Sequence, residues 1–136
     1  MTSKKITRND IAWLAGIIDG EGCVGQYQNG RHPYLQARID IANTDFGILN
    51  EVRRILDGWF IVYSYKKSPS YSNRKQCYYI RILRKMEVRF VLEKCLPYLK
   101  SIKGYKAIAI LEKPEVNRKD GKLPNIQKKM IEWRLA

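Results

Sequence analysis

Apolar side chains recur at two different periods along this chain, and the switches between them mark its elements. Ile11, Leu14, Ala15 and Ile18 lie on one helical stripe, while Trp13, Gly16, Ile17 and Gly20 lie on the adjoining face. A surface helix needs only one apolar stripe. Two stripes predict burial on two sides, and glycines four apart would let a second helix approach very closely on one of them. Thr7 or Asn9 supplies the start of this helix, which the spacing ends near Asp19, with Gly20 and Gly22 as the stop. The period then changes to two. Residues 23–28 and 34–42 read as strands around a turn at Asn29-Gly30 and His32-Pro33. In the second strand Leu35, Ala37, Ile39 and Ile41 point one way, and Tyr34, Gln36, Arg38 and Asp40 the other.

Helical spacing returns at Ile48, Leu49, Val52, Ile55 and Leu56, behind a capping stretch Asn43-Thr44-Asp45 and ahead of Asp57-Gly58. A third strand is expected over residues 60–66, then a basic polar loop from Ser68 to Lys75, then a fourth strand over 76–83. In the fourth, Tyr78, Ile80 and Ile82 face inward and Cys77, Tyr79 and Arg81 outward. Helices follow over 86–96, stopped by Pro97, and over 105–112, before Pro114. The charged stretch 115–123 reads as a loop, and 125–135 as a last helix with Ile126, Met130 and Trp133 on one side. The order is helix, two strands, helix, two strands, helices. It predicts an α+β fold of αββαββα type, an antiparallel sheet with helices on one face. One domain accommodates the 136 residues, with a core at about 7–113 and a C-terminal extension at 114–136.

Charge changes this picture. The chain has 26 Lys and Arg against 13 Asp and Glu, a net charge of +13. Such an excess favours a polyanionic partner, nucleic acid before an anionic membrane, with a merely solubilising basic surface as the plain alternative. The open sheet face carries Tyr34, Gln36, Arg38, Tyr79 and Arg81, a set suited to the major groove of a duplex. No apolar run approaches the ~20 residues that span a bilayer, and the first ten residues lack the apolar core of a secretory signal. Cys23, Cys77 and Cys95 form neither a zinc spacing nor a disulfide framework; reduced thiols and an intracellular setting are expected. Cys95 reads as core, Cys23 and Cys77 as strand residues, and the lone His32 as a turn residue.

The run Leu14-Ala15-Gly16-Ile17-Ile18-Asp19-Gly20-Glu21-Gly22 puts two carboxylates at the end of an apolar helix in a strongly basic chain. Acids there meet the negative end of the helix dipole, which a cation would relieve. This run resembles the signature of the LAGLIDADG homing endonucleases. With Ile17 accepted for Leu, it departs at Gly20, where the family often has Ala, and Glu21, where it often has Asp. The resemblance extends in order over roughly residues 10–112. It implies a Mg²⁺-dependent DNA endonuclease, encoded within an intron or similar element, that cuts both strands of a long site. A single motif implies a homodimer whose motif helices pack through Trp13, Gly16, Ile17 and Gly20, and hence a roughly palindromic target.

The resemblance also implies a site. Glu21 binds metal, with Gly20 beside it, and two such acids meet near the dimer axis. Asp19 shapes the helix end, with a catalytic role as the minority reading. Asn43 orders a water, or else caps the second helix, which Asp45 would do instead. Lys103 stabilises phosphoryl charge, with Lys100 as its rival. DNA contacts are expected on a saddle made by the open strand faces, from Tyr27, Asn29, Tyr34, Gln36, Arg38, Asp40, Ser64, Lys66, Tyr79 and Arg81. Of these, Arg38 and Arg81 suit guanine, and Lys67, Arg74 and Lys75 in the loop suit phosphates. The competing reading is a non-cleaving relative that assists introns or regulates transcription. A basic ribonucleoprotein component explains the charge but not the glycine-acid helix end; RNA is the less favoured partner.

Overall fold

Thr7 starts the first helix with reciprocal bonds: its hydroxyl accepts from the Asp10 N–H at 3.2 Å, and the Asp10 carboxylate accepts from the Thr7 N–H at 2.9 Å. In the computed structural model, which describes residues 5–28, 30, 33–68, 76–112 and 116–117, this helix, α1, spans Arg8–Glu21. It is followed by β1 (Gly22–Tyr27), β2 (Tyr34–Asn43), α2 (Phe46–Gly58), β3 (Ser64–Lys67) and β4 (Tyr78–Ile82). Then come α3 (Lys85–Cys95), a 3-10 turn at Leu96–Tyr98, α4 (Ile102–Glu112) and the short β5 (Val116–Asn117). The sheet is antiparallel, in the order β1-β2-β4-β3, and β5 continues it by pairing with β2 at Tyr34 and Leu35. This is the α+β architecture expected, with helices covering one sheet face and the other left open.

The two periods meet in one core. Val24, Ala37, Ile39, Ile41, Ile80 and Ile82 from the sheet pack on Leu14, Ala15 and Ile18 of α1, Leu49, Val52, Ile55 and Leu56 of α2, and Val88, Val91 and Leu92 of α3. Each Val, Leu or Ile among them contributes about 1.5–3 kcal/mol by leaving water. Cys95 is fully buried there. Burial, and then the charge of Asp19, push its thiol up to about 12, so it is a core group. No described helix is long and apolar enough to cross a membrane.

Several boundaries differ from the sequence reading. α1 runs through Glu21 rather than ending near Asp19. Gly20 stays helical, and the stop is Gly22, whose extended backbone N–H bonds to the Ile18 carbonyl. A Cβ on Gly22 would lie 2.9 Å from the Ile18 backbone, so the sharp exit from α1 into β1 needs glycine. β3 begins at Ser64 rather than residue 60. The chain after α2 curls back first, with the Ile61 N–H on the Leu56 carbonyl at 2.9 Å and Phe60 at φ 59°. Lys67, expected in the following loop, is the last residue of β3, opposite Tyr78; alternation places it on the opposite sheet face from Lys66. Cys77 just precedes β4. α4 starts at Ile102, earlier than residue 105, and part of 115–123, read as loop, is β5. Asn29, His32, Arg74, Lys75 and the helix expected at 125–135 lie outside the described residues.

The early start of α4 has a local cause. The Ser101 hydroxyl accepts from the Lys103 N–H at 3.1 Å, as a helix-capping residue does, and donates to Asp19 Oδ1 at 2.6 Å. Asp19 also accepts from the Lys100 N–H at 2.7 Å and the Ser101 N–H at 3.1 Å. In return the Lys103 ammonium donates to the carbonyls of Ile18 at 2.9 Å and Asp19 at 2.7 Å. The C-terminal end of α1 thus gives a carboxylate to the N-terminal end of α4 and receives a cation. Both contacts match charge to the helix dipoles. Burial opposes ionisation of Asp19, but the Ser101 hydroxyl, the two backbone donors and the nearby Lys103 charge outweigh it and hold the carboxyl below its usual range.

Two outcomes follow from these contacts. Gly22→Ala is expected to cost roughly 1–3 kcal/mol, because the added methyl must displace backbone rather than a flexible side chain; a melting temperature equal to that of the parent would refute the steric argument. Asp19→Asn removes a charged acceptor from three donors and is expected to cost about 1–3 kcal/mol at neutral pH. Since the folded carboxyl is the stronger acid, its stabilisation is complete above the unfolded value of ~3.9 and fades as pH falls through the lower folded value. Melting curves of the two proteins should therefore converge below about pH 4.

Candidate active site and nucleic-acid interface

With Asp19 turned into the α1–α4 junction, Glu21 is the acid left at the helix tip, and it is exposed. It stands at the end of α1, one residue before β1 begins. Asn43, the last residue of β2, reaches it from across the sheet: its Nδ2 donates to Glu21 Oε2. The same amide's oxygen accepts from the Asp45 N–H at 2.8 Å, which fixes the amide with its N–H groups toward Glu21. Asp45 caps α2, its Oδ1 accepting from the Gly47 and Ile48 N–H groups at 2.8 and 3.2 Å. The capping role left open for Asn43 therefore belongs to Asp45. Asn43 instead holds the orientation of a carboxylate.

Lys103 lies beside this tip, but its ammonium is engaged by the last-turn carbonyls rather than by Glu21. Lys100 contributes its backbone N–H to Asp19. Among the described residues, no group of three or more His, Cys, Asp and Glu side chains gathers to hold a metal. One chain therefore offers a cation the Glu21 carboxylate and nearby main-chain oxygens, Gly20 among them. These are hard oxygen donors of the kind Mg²⁺ takes, in fewer numbers than a complete shell.

The other half of the constellation is the face of α1 away from the core. Gly16 and Gly20 are exposed, Trp13 and Ile17 half-buried. A Cβ built on either glycine meets nothing within 4 Å. Nothing in the described chain therefore requires glycine at these two positions.

The open sheet face begins beside Glu21. Register places Cys23 opposite Asp40, Gly25 opposite Arg38 and Tyr27 opposite Gln36. Arg81 lies across from Asp40, and β3 adds Ser64 opposite Arg81 and Lys66 opposite Tyr79. Tyr27, Tyr34, Gln36, Arg38, Asp40, Ser64, Lys66, Tyr79 and Arg81 thus share this one face, as alternation predicts. The side chains interlock. Arg81 Nε donates to Asp40 Oδ1 at 2.8 Å. Arg38 Nε comes within 3.1 Å of Asp40 Oδ2, close enough for an ion pair, without the alignment of a hydrogen bond. The Arg38 guanidinium lies 3.9 Å from the centre of the Tyr27 ring, and that of Arg81 5.0 Å from the Tyr79 ring. A shallow depression of about 140 Å³ opens here, lined by Tyr27, Gln28, Gln36, Arg38, Arg81 and Leu83.

Sequence reasoning did not find Ser101, or the pairing of Asn43 with Glu21. Ser101 belongs to no periodic pattern, and 82 residues separate it from the Asp19 it meets. Asn43 and Glu21 are 22 residues apart and are joined only by the turn of the chain through β1 and β2.

Comparison with known proteins fits this geometry. A family model described as a LAGLIDADG-like domain matches residues 8–95, a span that includes the run 14–22 and most of the sheet. No curated protein matches the chain. Among solved structures, it resembles the homing endonuclease I-CvuI in complex with its target, at 24% identity and a TM-score of 0.61, over 92% of this chain and 75% of that one. I-CvuI in complex with the I-CreI target gives 24% and 0.61 over 78% and 68%. The group I intron-encoded homing endonuclease I-CeuI complexed with DNA gives 12% and 0.57 over 82% and 56%. At such identities the structures speak for the fold, and the family model, matching well over half the chain, for the family. The chain belongs to the LAGLIDADG homing endonuclease family.

Proposed function

We propose that this protein is a homodimeric, Mg²⁺-dependent endonuclease that makes a double-strand break in a long, roughly palindromic DNA site. The observation that carries this reading is Glu21: an exposed carboxylate at a helix tip, oriented by Asn43 and set at the edge of a basic, arginine-bearing sheet face. The family and the DNA complexes of the structural relatives support it.

The chain's own residues have divided roles. Trp13, Gly16, Ile17 and Gly20 form the contact between two α1 helices, the glycines admitting the partner's backbone. Two-fold symmetry brings two Glu21 carboxylates together and completes a donor set that one chain holds only in part. Each Glu21, with the main chain at Gly20, holds the cation. Bound there, Mg²⁺ supplies neutralisation of the scissile phosphate and activation of the attacking water. Asn43 keeps the carboxylate turned toward that position. Lys103 offsets the negative helix end beneath the site, which lowers the repulsion that a phosphate would meet. The cationic sheet face holds the duplex, Arg38 and Arg81 reading bases and Lys66 contacting the backbone. Lys67, on the opposite sheet face from Lys66, is assigned to phosphates, as are Arg74 and Lys75 by their charge.

The decisive experiment is selection from a randomised duplex library with Mg²⁺ present. Recovered cut molecules should share one sequence of approximate two-fold symmetry, broken on both strands. Enrichment by binding, with no cut under Mg²⁺, Mn²⁺ or Ca²⁺, would favour a non-cleaving member of the family instead. On the selected site, Glu21→Gln should bind with affinity near that of the parent and fail to cut; full cleavage by this variant would remove Glu21 from the metal site. Gly16→Leu should sediment as a monomer and lose double-strand cutting, and a variant that stays dimeric would refute the helix contact.

A further inference from the structure

We infer that Asp40 does not itself contact DNA but is a positioning residue that clamps Arg38 and Arg81 into one two-guanine reading device. The inference rests on the DNA reading of the open face and goes beyond it by assigning what the face reads and what enforces it. Asp40 is the most recessed of the three groups. Its side chain is 19% exposed, against 25% for Arg38 and 34% for Arg81, so it lies beneath the two cations rather than in front of them.

Each carboxylate oxygen is directed at a different guanidinium, and each arginine meets it through Nε. Among the described residues, no hydrogen bond engages the Nη groups of either arginine. An arginine held at Nε presents its two Nη groups as a fork, the geometry that takes guanine O6 and N7 together. Tethering also removes rotamers before binding, which raises discrimination by lowering the entropy lost on contact.

The flanks complete the clamp. Tyr27 folds back over Gly25, where a Cβ would lie 3.2 Å from the ring, and its ring packs against the Arg38 guanidinium. Tyr79 does the same for Arg81 at longer range. Gly25 is thus the residue that lets the ring lie flat on the sheet.

Register gives the location. Asp40 and Arg81 are one rung from the Gly22–Ile41 pair, next to Glu21, while Arg38 and Gln36 lie progressively farther along β2. A strand advances about 3.4 Å per residue, close to the rise of one base pair. Arg38 lies two residues along β2 from the Asp40–Arg81 rung, so the clamped pair addresses two guanines about two base pairs apart in the inner part of each half-site, and Gln36 and Tyr34 address outer positions.

The test measures binding of the intact protein to its selected site and to every single base-pair variant of it, for parent, Asp40→Asn and Asp40→Glu. The parent should prefer guanine at two inner positions by roughly 5- to 150-fold each. Asp40→Asn should lose both preferences together. Its affinity for unrelated duplex should rise, with a salt dependence steeper by about one phosphate contact, because the released arginines turn to the backbone. Asp40→Glu, which keeps the bridging charge, should retain part of both preferences. Arg81→Gln is the second variant: it should weaken the preference at its own guanine and also at that of Arg38. An unchanged base profile in Asp40→Asn overturns the inference. So does loss of a cytosine preference at a single separate position, which would make Asp40 a base reader. A parent protein that binds no duplex at all overturns the DNA reading itself, an outcome visible before any variant is compared.

Discussion

The exchange between the end of α1 and the start of α4 is the contact on which the rest depends. Asp19 gives its carboxylate to α4, and Lys103 gives its ammonium to the carbonyls of α1. Two helix termini, one lacking hydrogen-bond donors and the other acceptors, satisfy each other directly. The consequence for chemistry is a division of labour between two acids two residues apart. Asp19 is committed to structure, which leaves Glu21 as the exposed acid of the helix tip.

The same economy appears on the sheet. Acidic groups in a strongly basic chain look misplaced until their partners are seen. Asp40 sits between two arginines, and Glu21 receives the amide of Asn43. Each acid has its orientation fixed by a neighbour. Positioning by packed side chains matters because directional contacts are sensitive to displacements of about an ångström. Placing these groups at the ends and on the face of regular elements, above a core of branched apolar residues, supplies that rigidity.

The face of α1 that carries Gly16 and Gly20 belongs to a different scale. Within one chain these glycines lower helix stability by about 0.5–1 kcal/mol each relative to alanine, and among the described residues nothing lies close enough to exclude a Cβ there. Gly22 contrasts with them, since its missing Cβ is required by the described chain itself. A glycine whose neighbours explain it and one whose neighbours do not are distinguishable only in three dimensions.

Much of the molecule was nonetheless legible in the linear chain. Period-two and helical spacing of apolar residues place β1, β2, α2 and the inward side of β4, because burial on one face forces that repetition whatever the partner elements are. The motif and the charge excess direct attention to Glu21 and to the sheet face for the same reason: they are local or global sums that need no fold. Boundaries were less legible. α1 outruns its first glycine because the stop is the extended turn at Gly22, whose backbone approaches Ile18 too closely for a Cβ, and α4 starts early because Ser101 caps it. The tertiary structure alone decided which acid is exposed, whether Asn43 or Asp45 is the helix cap, and that Asp40 joins two arginines. Those outcomes depend on distances between residues tens of positions apart, and chain pattern carries no information on distance until the sheet register and helix packing have set it.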